Sequence, residues 1–229
     1  MTDEKLDSYK NIIFGEKREQ FSRFCRLLQE YNARFNLTSI TEESEVFVKH
    51  FLDSVAGEGL FQKNAAVAEI GSGAGFPSLP LKIVRPDLKF TLVESTGKKC
   101  EFLRVAVKEL ELERVEIVNA RAEELARDAR YREAFDCCCA RAVARLNTLA
   151  EYCVPFVKRG GSFIAYKGDV AEEAEEAKRA LKILGCGRTK IYSYELEGAG
   201  KRALFVAEKT SPTPALYPRG NGKERKKPL

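Results

Sequence analysis

The sequence has few of the residues that form metal centres, and it lacks long hydrophobic runs. His50 is its one histidine, and its seven cysteines contain no C-x-x-C pair, so we expect no metal site. The cysteines, three of them adjacent at 137–139, are expected to be small buried hydrophobic residues in a reducing compartment. Because no apolar run approaches the roughly 18 residues of a bilayer span, we expect no membrane association. The polar, acidic first ten residues predict no secretory leader.

The net charge of +5 is concentrated near the C-terminus. From Tyr217 onward, five cations face one acid, Glu224, which leaves the first 216 residues nearly neutral. A basic segment on an otherwise nearly neutral protein is typical of a segment that binds a polyanion, and it is equally typical of a solvated, disordered end. Both interpretations stay open at this point. The five cations are Arg219, Lys223, Arg225, Lys226 and Lys227.

Residues 1–62 are predicted to form a helical extension. Apolar residues recur at three- and four-residue steps through Phe21, Phe24 and Leu28, which is the pattern of one apolar helix face. A break at residues 36–38 precedes a second apolar stripe, whose helix is predicted to start near Thr41.

Between residues 63 and 209, short apolar runs alternate with amphipathic stretches. This alternation predicts one α/β domain in which helices cover both faces of a mostly parallel seven-stranded sheet. Because no helix separates the last two strands, we expect an antiparallel hairpin at one edge, and residues 210–229 form a basic tail. The predicted strands are Ala66–Ile70, Lys89–Glu94, Val115–Asn119, Phe135–Ala140, Ser162–Tyr166, Lys190–Tyr194 and Ala203–Glu208. The predicted helices are Pro77–Val84, Lys98–Leu110, Ala122–Asp128, Leu146–Val157 and Val170–Leu184.

A glycine-rich loop containing Gly71, Gly73 and Gly75 follows the first strand directly and opens a helix. Glycines let the backbone turn tightly and let a ligand approach without Cβ obstruction, and helix amides suit an anionic or carboxylate-bearing ligand. In such sheets, ligands bind at the carboxyl ends of the strands. A dinucleotide fingerprint would need glycine or alanine where Phe76 stands. The remaining pattern, E-x-G-x-G-x-G from Glu69, resembles the first motif of Rossmann-like methyltransferases that use S-adenosylmethionine (SAM).

Further candidates lie at the ends of the next strands. Glu94 ends the second strand, which suits an acid that accepts hydrogen bonds from ribose hydroxyls. Ala122 and Glu123 follow the third strand and are placed to set an amide and a carboxylate beside adenine, and Arg141 follows the fourth. Each residue also has a purely structural interpretation. Glu123 is an acid of the kind that favours the first turn of a helix, and Arg141 is a residue typical of an exposed surface. Their joint placement at successive strand ends favours the functional interpretation.

Several motifs, taken together, resemble the RsmG (GidB) family of bacterial 16S rRNA methyltransferases over nearly the whole chain. One motif alone is a weak signal, whereas their order and spacing are specific. The matching segments are residues 36–38, 50–54, 69–77, 92–95, 98–99, 121–123, 140–144, 167–168 and 217–219.

The resemblance implies a Rossmann-like class I fold and methylation of N7 of a guanine in small-subunit (16S) rRNA near the decoding centre. The implied cofactor is SAM without a metal, and the implied partner is 16S rRNA or the small ribosomal subunit in the cytoplasm. No obligate protein partner is indicated, and we expect a monomer. Glu94 stands where many relatives have aspartate, which keeps the carboxylate. The predicted cofactor contacts are Gly71, Gly73, Phe76, Glu94, Ala122, Glu123 and Arg141.

Methylation at guanine N7 needs no general base, because this nitrogen carries a free lone pair at neutral pH. The enzyme's task is then to align the reacting groups and to exclude water. The sequence offers no persuasive base, since His50 lies in the helical extension, where we expect it to face Asp53. The [N/D]-P-P-[Y/F] loop used for exocyclic amines and the proline-preceded cysteine used for pyrimidine C5 are both absent.

Arg141, Arg145 and Lys167 are the candidates to orient RNA, because an arginine donates two hydrogen bonds to a base or phosphate and Lys167 ends a strand. Lys167 also suits a solvated strand end, and Phe76 suits core packing as well as ligand stacking. If the cations of the tail bind phosphates, deletion of residues 217–229 will weaken the salt dependence of RNA binding.

Two other functions stay open: a small-molecule methyltransferase and a non-catalytic RNA-binding assembly protein.

Overall fold

The computed structural model describes residues 3–229 as one sheet with helices on both faces. None of the helices in this range has the length and apolarity needed to cross a bilayer. The strands are β1 Ala66–Ile70, β2 Lys89–Glu94, β3 Val115–Asn119, β4 Phe135–Arg141, β5 Val157–Lys167, β6 Cys186–Leu196 and β7 Gly200–Lys209. The helices are α1 Asp3–Asn11, α2 Arg18–Phe35, α3 Glu43–Val46, α4 Asp53–Val55, α5 Ser78–Val84, α6 Gly97–Glu109, α7 Ala122–Leu125, α8 Leu146–Cys153, α9 Ala171–Leu184 and α10 Lys223–Lys226.

The strand order is β3-β2-β1-β4-β5-β7-β6, and β7 runs in the direction opposite to the other six strands. This arrangement confirms the predicted mostly parallel sheet with an antiparallel hairpin at one edge. The direction of strand addition reverses between β1 and β4, and such a reversal opens a crevice at the carboxyl ends of the two strands. The glycine loop follows β1 and therefore lies at this crevice.

The predicted bounds of β1, β2 and β3 are confirmed to the residue. The predicted helix to Val157 was wrong, because α8 ends at Cys153 and a single 3₁₀ turn, Val154–Phe156, follows it. Pro155 lies in that turn and has no amide hydrogen to continue an α-helix. Because the helix ends earlier than predicted, β5 begins at Val157 instead of Ser162.

Successive side chains of each strand enter different hydrophobic layers, as the two-residue period of a strand requires. Cys137 and Cys139 of β4 pack with the layer formed by the N-terminal helices, α5 and α6. Cys138, between them, packs with the layer formed by α7, α8 and α9. All seven cysteines are buried and unpaired, which confirms their prediction as small core residues.

The N-terminal extension packs on the first of these layers through an aromatic cluster. The rings of Phe21 and Phe24 lie 5.0 and 5.3 Å from that of Phe51. A π-helical segment, Phe47–Leu52, joins α3 to α4 and brings the cluster to the carboxyl edge of the sheet. There the Tyr166 hydroxyl, near the end of β5, donates to the Ser54 carbonyl oxygen at 3.0 Å. The extension therefore contributes to the edge of the sheet that holds the crevice.

Lys209 fixes the point where the chain leaves the sheet. Its ammonium is buried at the end of β7 and donates to the Glu133 carboxylate at 2.9 Å and the Thr213 hydroxyl at 2.7 Å. It also donates to the carbonyl oxygens of Val154 and Val157. A buried charge that binds several groups holds them in position, and its loss removes a hydrogen-bond donor from each of them.

We expect Lys209→Met to lower the free energy of unfolding by about 3 kcal/mol, because the acceptors around the buried ammonium lose a charged donor. Lys201→Met, at the exposed start of the same strand, is the matched control and should change stability by less than about 0.5 kcal/mol. Urea unfolding followed by circular dichroism measures both. Equal stabilities of the two variants would contradict a structural role for the Lys209 network.

Candidate functional site

A cleft of about 760 Å³ lies at the carboxyl ends of β1, β2 and β3. This volume is in the range of cavities that hold small ligands. Part of the lining comes from the strand ends and α7, and part from the C-terminal segment. The lining residues are Ile70, Gly71, Val93, Ser95, Ala120, Arg121, Ala122, Glu123, Glu124, Arg127, Val143, Tyr152, Arg219, Gly220, Asn221, Gly222 and Arg225.

Gly71 lines the cleft in a backbone conformation that favours glycine, with φ of +68°. Its amide donates to the Val93 carbonyl oxygen at 2.8 Å, which joins the glycine loop to the end of β2. A Cβ at this position would lie 2.7 Å from Cγ2 of Val143, so a side chain would displace the segment after β4. The close approach of the two segments therefore depends on the absence of a side chain at residue 71.

Glu94 holds the glycine loop and does not itself line the cleft. Its Oε2 accepts a hydrogen bond from the Gly73 amide at 3.0 Å, and its Oε1 accepts one from the Thr96 amide at 2.8 Å. Ser95, the next residue, lines the cleft. Each carboxylate oxygen has a second lone pair, so the ribose contact of Glu94 stays a prediction.

Ala122 and Glu123 line the cleft at the first turn of α7. The Glu123 carboxylate is half-buried, and its ion-pair partner Arg121 lies 4.0 Å away on the same cleft. The structure therefore brings three of the predicted cofactor residues, Gly71, Ala122 and Glu123, to one cavity.

Phe76 and Arg141 lie together between the strand ends and the helical extension, outside the cleft lining. The Phe76 ring stacks on His50 with centroids 4.3 Å apart, and the Arg141 guanidinium lies 5.7 Å from the Phe76 centroid. Arg141 also pairs with the Asp53 carboxylate at 3.0 Å and donates to the Lys49 carbonyl oxygen at 2.9 Å. The interpretation of Arg141 as an exposed surface residue is therefore wrong.

These contacts determine the tautomer of His50. Arg141 can only donate, and it lies 2.6 Å from Nδ1 of His50, so Nδ1 is the acceptor. Nε2 then carries the hydrogen and donates to the Thr38 hydroxyl at 2.9 Å. Burial, and next the charge of Arg141, lower the pKa of His50 to about 3. His50 is therefore the hydrogen-bonded helix residue that was predicted, but it meets Asp53 through Arg141, which binds both side chains.

Glu69, which opens the glycine motif, is a second buried group with unusual protonation. The Ser78 hydroxyl and amide lie beside its carboxyl group, but the two carboxyl oxygens and the hydroxyl form no hydrogen bond of good geometry among the described residues. Burial raises the pKa of Glu69 to about 8, so the carboxyl group is mostly neutral at pH 7. Because Glu69 is completely inaccessible to solvent, it is not placed to take a proton from a substrate in the cleft.

Lys167 and Arg145, predicted to orient RNA, both pair with α9. Lys167 lies 2.6 Å from the Glu173 carboxylate and donates to the Ala144 carbonyl oxygen at 2.8 Å. The Lys167 side chain is only 13% exposed, so the alternative interpretation of Lys167 as a solvated strand end is wrong. Arg145 pairs with Glu176 at 2.7 Å and is 57% exposed. Neither residue lines the cleft, and their RNA contacts stay predictions.

The basic tail folds back onto the domain, and we call residues 217–227 the C-terminal strap. Arg219 forms a two-pronged ion pair with the buried Glu151 carboxylate, so this predicted RNA contact is engaged inside the protein. The interpretation of the tail as a disordered end is therefore wrong. The other four cations, on α10 or directly after it, are exposed: Lys223, Arg225, Lys226 and Lys227.

Metal and thiol chemistry find little support in residues 3–229. In this range no three histidine, cysteine, aspartate or glutamate side chains are grouped to hold a metal ion. Burial raises the pKa of Cys137 to about 12 and the pKa values of Cys138 and Cys139 well above their ordinary range. These thiols are therefore protonated and are not activated nucleophiles.

Two features of this region escaped the sequence reasoning. Asp53 binds Arg141, Arg202 and Tyr194, although the motif at 50–54 pointed to this segment without indicating its partners. The strap lines the cleft through residues 220–222, where the run Gly-Asn-Gly was a turn signal.

Comparison with known proteins agrees with this geometry. The model of the family described as "rRNA small subunit methyltransferase G" (GidB) matches residues 17–204. The "Ribosomal RNA small subunit methyltransferase G" of Brevibacillus brevis is 49% identical, over 95% of this chain and 93% of that protein. Its namesake in Desulfitobacterium hafniense is also 49% identical, over 95% and 91%. The structure of M. jannaschii TYW2 in complex with AdoMet aligns with a TM-score of 0.53 at 15% identity, over 68% of this chain and 72% of that one.

The fold is that of the Rossmann-like SAM-dependent methyltransferases, as expected from the strand pattern and the glycine loop. Within that class, the chain belongs to the rRNA small subunit methyltransferase G (GidB) family. The resemblance noted in the sequence is thereby confirmed.

Replacing His50 by asparagine should remove one source of acid sensitivity. The buried imidazole stays neutral down to about pH 3, whereas a histidine in the unfolded chain protonates near pH 6.5. As the pH falls below 6.5, the unfolded state therefore binds a proton that the folded state does not, and stability is lost. We expect the wild-type free energy of unfolding to fall relative to that of His50→Asn by about 1.4 kcal/mol per pH unit.

Urea unfolding of both proteins from about pH 7 to pH 4.5 tests this slope. Carboxylate titrations are common to both proteins and cancel in the difference. A difference in stability that does not change with pH would mean that the folded imidazole protonates normally.

Proposed function

We propose that this chain transfers the methyl group of SAM to N7 of a specific guanine in small-subunit (16S) rRNA, near the decoding centre. The observation that carries the proposal is the cleft lined by Gly71, Ala122 and Glu123 in a chain of the rRNA small subunit methyltransferase G family. The proposed partner is 16S rRNA or the small ribosomal subunit, and the chain acts as a monomer in the cytoplasm.

The residues of the cleft fit SAM in shape and polarity. The bare backbone at Gly71 leaves room that a Cβ would take up against Val143. The amide of Ala122 and the carboxylate of Glu123 supply a donor and an acceptor, the pair that an adenine edge requires. Ser95, with a hydroxyl group, lies on the lining at the end of β2. In this proposal Glu123 and the glycine loop hold the nucleoside.

The other predicted cofactor residues, Gly73, Phe76, Glu94 and Arg141, lie beside that lining. Glu94 binds the Gly73 amide, and Arg141 lies over the Phe76 ring. Glu94 keeps free lone pairs, and Arg141 has five N–H donors. We propose that Glu94 and Arg141 use this spare capacity to contact the cofactor.

The chain's own residues bind, orient and exclude water, and none is required to move a proton. Bound SAM supplies a methyl group on a sulfonium, which is already electrophilic. His50 is neutral and engaged at both ring nitrogens, and Glu69 is neutral and inaccessible. An acceptor with a free lone pair, such as guanine N7, matches a site of this kind. Alignment alone contributes a large part of the rate of such a displacement.

The exposed cations of the C-terminal strap are proposed to hold the RNA backbone at the mouth of the cleft. Arg225 lines the cleft itself, and Lys223, Lys226 and Lys227 are its exposed neighbours on or beside α10. Arg145 and Lys167 are proposed to contact RNA further along the same edge of the sheet. Arg219 is left out, because Glu151 holds its guanidinium.

Labelled methyl transfer from SAM to unmodified small-subunit particles and to free rRNA tests the proposed function. We expect incorporation at one guanine, identified by nucleoside mass as N7-methylguanosine. SAM binding without incorporation into either RNA substrate would overturn the rRNA assignment and favour a small-molecule methyltransferase.

Gly71→Ala provides the variant for this assay and should reduce transfer at least tenfold, a barrier change of about 1.4 kcal/mol or more, because its Cβ meets Val143. Gly160→Ala is the matched control. Its φ of +83° imposes comparable backbone strain, but no atom lies within 4 Å of the added Cβ. Transfer by Gly160→Ala should stay near the wild-type rate, and equal loss in both variants would argue against a role for the Gly71 contact.

Lys226→Gln/Lys227→Gln should make the negative slope of log K for RNA binding against log salt shallower, by about 0.7–0.9 for each phosphate that the variant no longer neutralises. Lys63→Gln/Lys89→Gln is the matched control, because both lysines are exposed at the amino edge of the sheet. Filter binding to an rRNA fragment across a salt series measures the slopes. Slopes that match in the wild type and both variants would exclude Lys226 and Lys227 from phosphate binding.

A further inference from the structure

The C-terminal strap is built into the lining of the cleft. Residues Arg219, Gly220, Asn221, Gly222 and Arg225 line the same cavity as Gly71 and Glu123. A basic tail that served only to bind RNA electrostatically would not need an ordered backbone conformation at the cleft.

Two arginines fix the start of the strap. Arg127, which itself lines the cleft, donates to the Pro218 carbonyl oxygen at 2.6 Å. Arg132 donates to the Tyr217 carbonyl oxygen at 2.9 Å and to that of Thr213 at the same distance. The segment between the end of α7 and β4 thereby holds the strap against the strand ends.

A buried ion pair then holds the middle of the strap. The amide and Nε of Arg219 donate to Oε1 of Glu151 at 2.8 and 2.9 Å, and its second guanidinium nitrogen donates to Oε2 at 2.7 Å. The Glu151 side chain is 1% exposed and that of Arg219 is 18% exposed. The same guanidinium donates to the Lys227 carbonyl oxygen at 2.8 Å, which closes the strap into a loop. Breaking such a pair leaves an uncompensated charge, so the pair strongly determines where the strap lies.

Hydrogen bonds to Glu224 complete the loop. Its carboxylate accepts from the Gly220 amide, and its carbonyl oxygen accepts from the buried Thr148 hydroxyl at 3.0 Å. One acidic residue of the strap thus faces inward, while the neighbouring Lys223, Arg225 and Lys226 are exposed.

The sequence of the strap suits its conformation at the cleft. Gly220, Asn221 and Gly222 have φ values of +75°, +57° and +71°. Glycine and asparagine are the residues that adopt this left-handed region most readily, and three in succession make a tight, specific turn. All three line the cleft, so the turn shapes the surface that a ligand meets.

We propose that the C-terminal strap is part of the cofactor site, and that the Arg219–Glu151 ion pair is the positioning pair that holds it there. The inference rests on the proposed SAM site and adds a segment far along the chain to it. Its consequence is that damage to the strap weakens SAM binding before any RNA is present.

Asn221→Val tests the proposal without touching the buried ion pair. A β-branched residue resists the left-handed region, so the turn opens and the dissociation constant for SAM should rise about tenfold. Asn64→Val is the matched control, because Asn64 is also exposed and has φ of +59°, but lies in the loop before β1 outside the cleft. Its SAM affinity should equal that of the wild type. Isothermal titration calorimetry without RNA measures all three proteins.

Glu151→Gln should weaken SAM binding in the same direction, and steady-state kinetics distinguish positioning from general damage. The KM for SAM should rise while kcat at saturating SAM stays within about twofold of the wild type. If Glu151→Gln does not fold, Asn221→Val alone decides the question. Wild-type SAM binding with unchanged affinity in Asn221→Val would refute the strap's role and leave the proposed function intact. Absence of SAM binding by the wild type would refute the proposed function, and this inference with it.

Discussion

The structure depends most on the ion pair between Asp53 and Arg141. Asp53 opens α4 of the helical extension, and Arg141 ends β4, the strand beside the reversal of strand order. The same carboxylate accepts from the Tyr194 hydroxyl at 2.9 Å and lies 3.5 Å from Arg202. One buried acid thus joins the extension to β4 and to the edge hairpin. A buried pair contributes little against an apolar replacement, but losing one partner costs about 3–5 kcal/mol, so it enforces this docking geometry.

Through Arg141, the pair also sets the electrostatics beside the glycine loop. Arg141 forces Nδ1 of His50 to accept, and its charge adds to burial in lowering the pKa of His50. The neutral imidazole then stacks on Phe76, the residue directly after Gly75. The helical extension therefore positions one end of the loop, while Glu94 holds its middle through the Gly73 amide. The extension therefore supports the glycine loop, although none of its residues lines the cleft.

The sequence predicted the central strands well because buried parallel strands read as continuous apolar runs, as in β1 and β2. The hairpin strand β6 was predicted too short, since residues such as Thr189 pair on one side only and are exposed, and the register is irregular between Cys186 and Thr189. Gly71, Ala122 and Glu123 could be predicted as one site because each follows a predicted strand, and parallel strands end on a common edge of the sheet. The partners of Lys167 and His50 could not be predicted from the sequence. They come from α9 and from β4, and the spacing of residues along the chain gives no distances between separate elements of the fold.

The distribution of buried acids fits the proposed methyl transfer to guanine N7, which moves no proton. Glu94, Glu151 and Asp53 are all buried, and each fixes a different segment near the cleft: Glu94 binds the glycine loop, Glu151 binds the strap, and Asp53 joins the helical extension to β4. Glu69 and His50, which do not pair with an opposite charge, are neutral instead. In-line transfer requires alignment to about half an ångström, which rigid supports supply and a mobile charged group would disturb. Charge in this site therefore serves to fix backbone segments in place, and the reactivity itself comes from the cofactor.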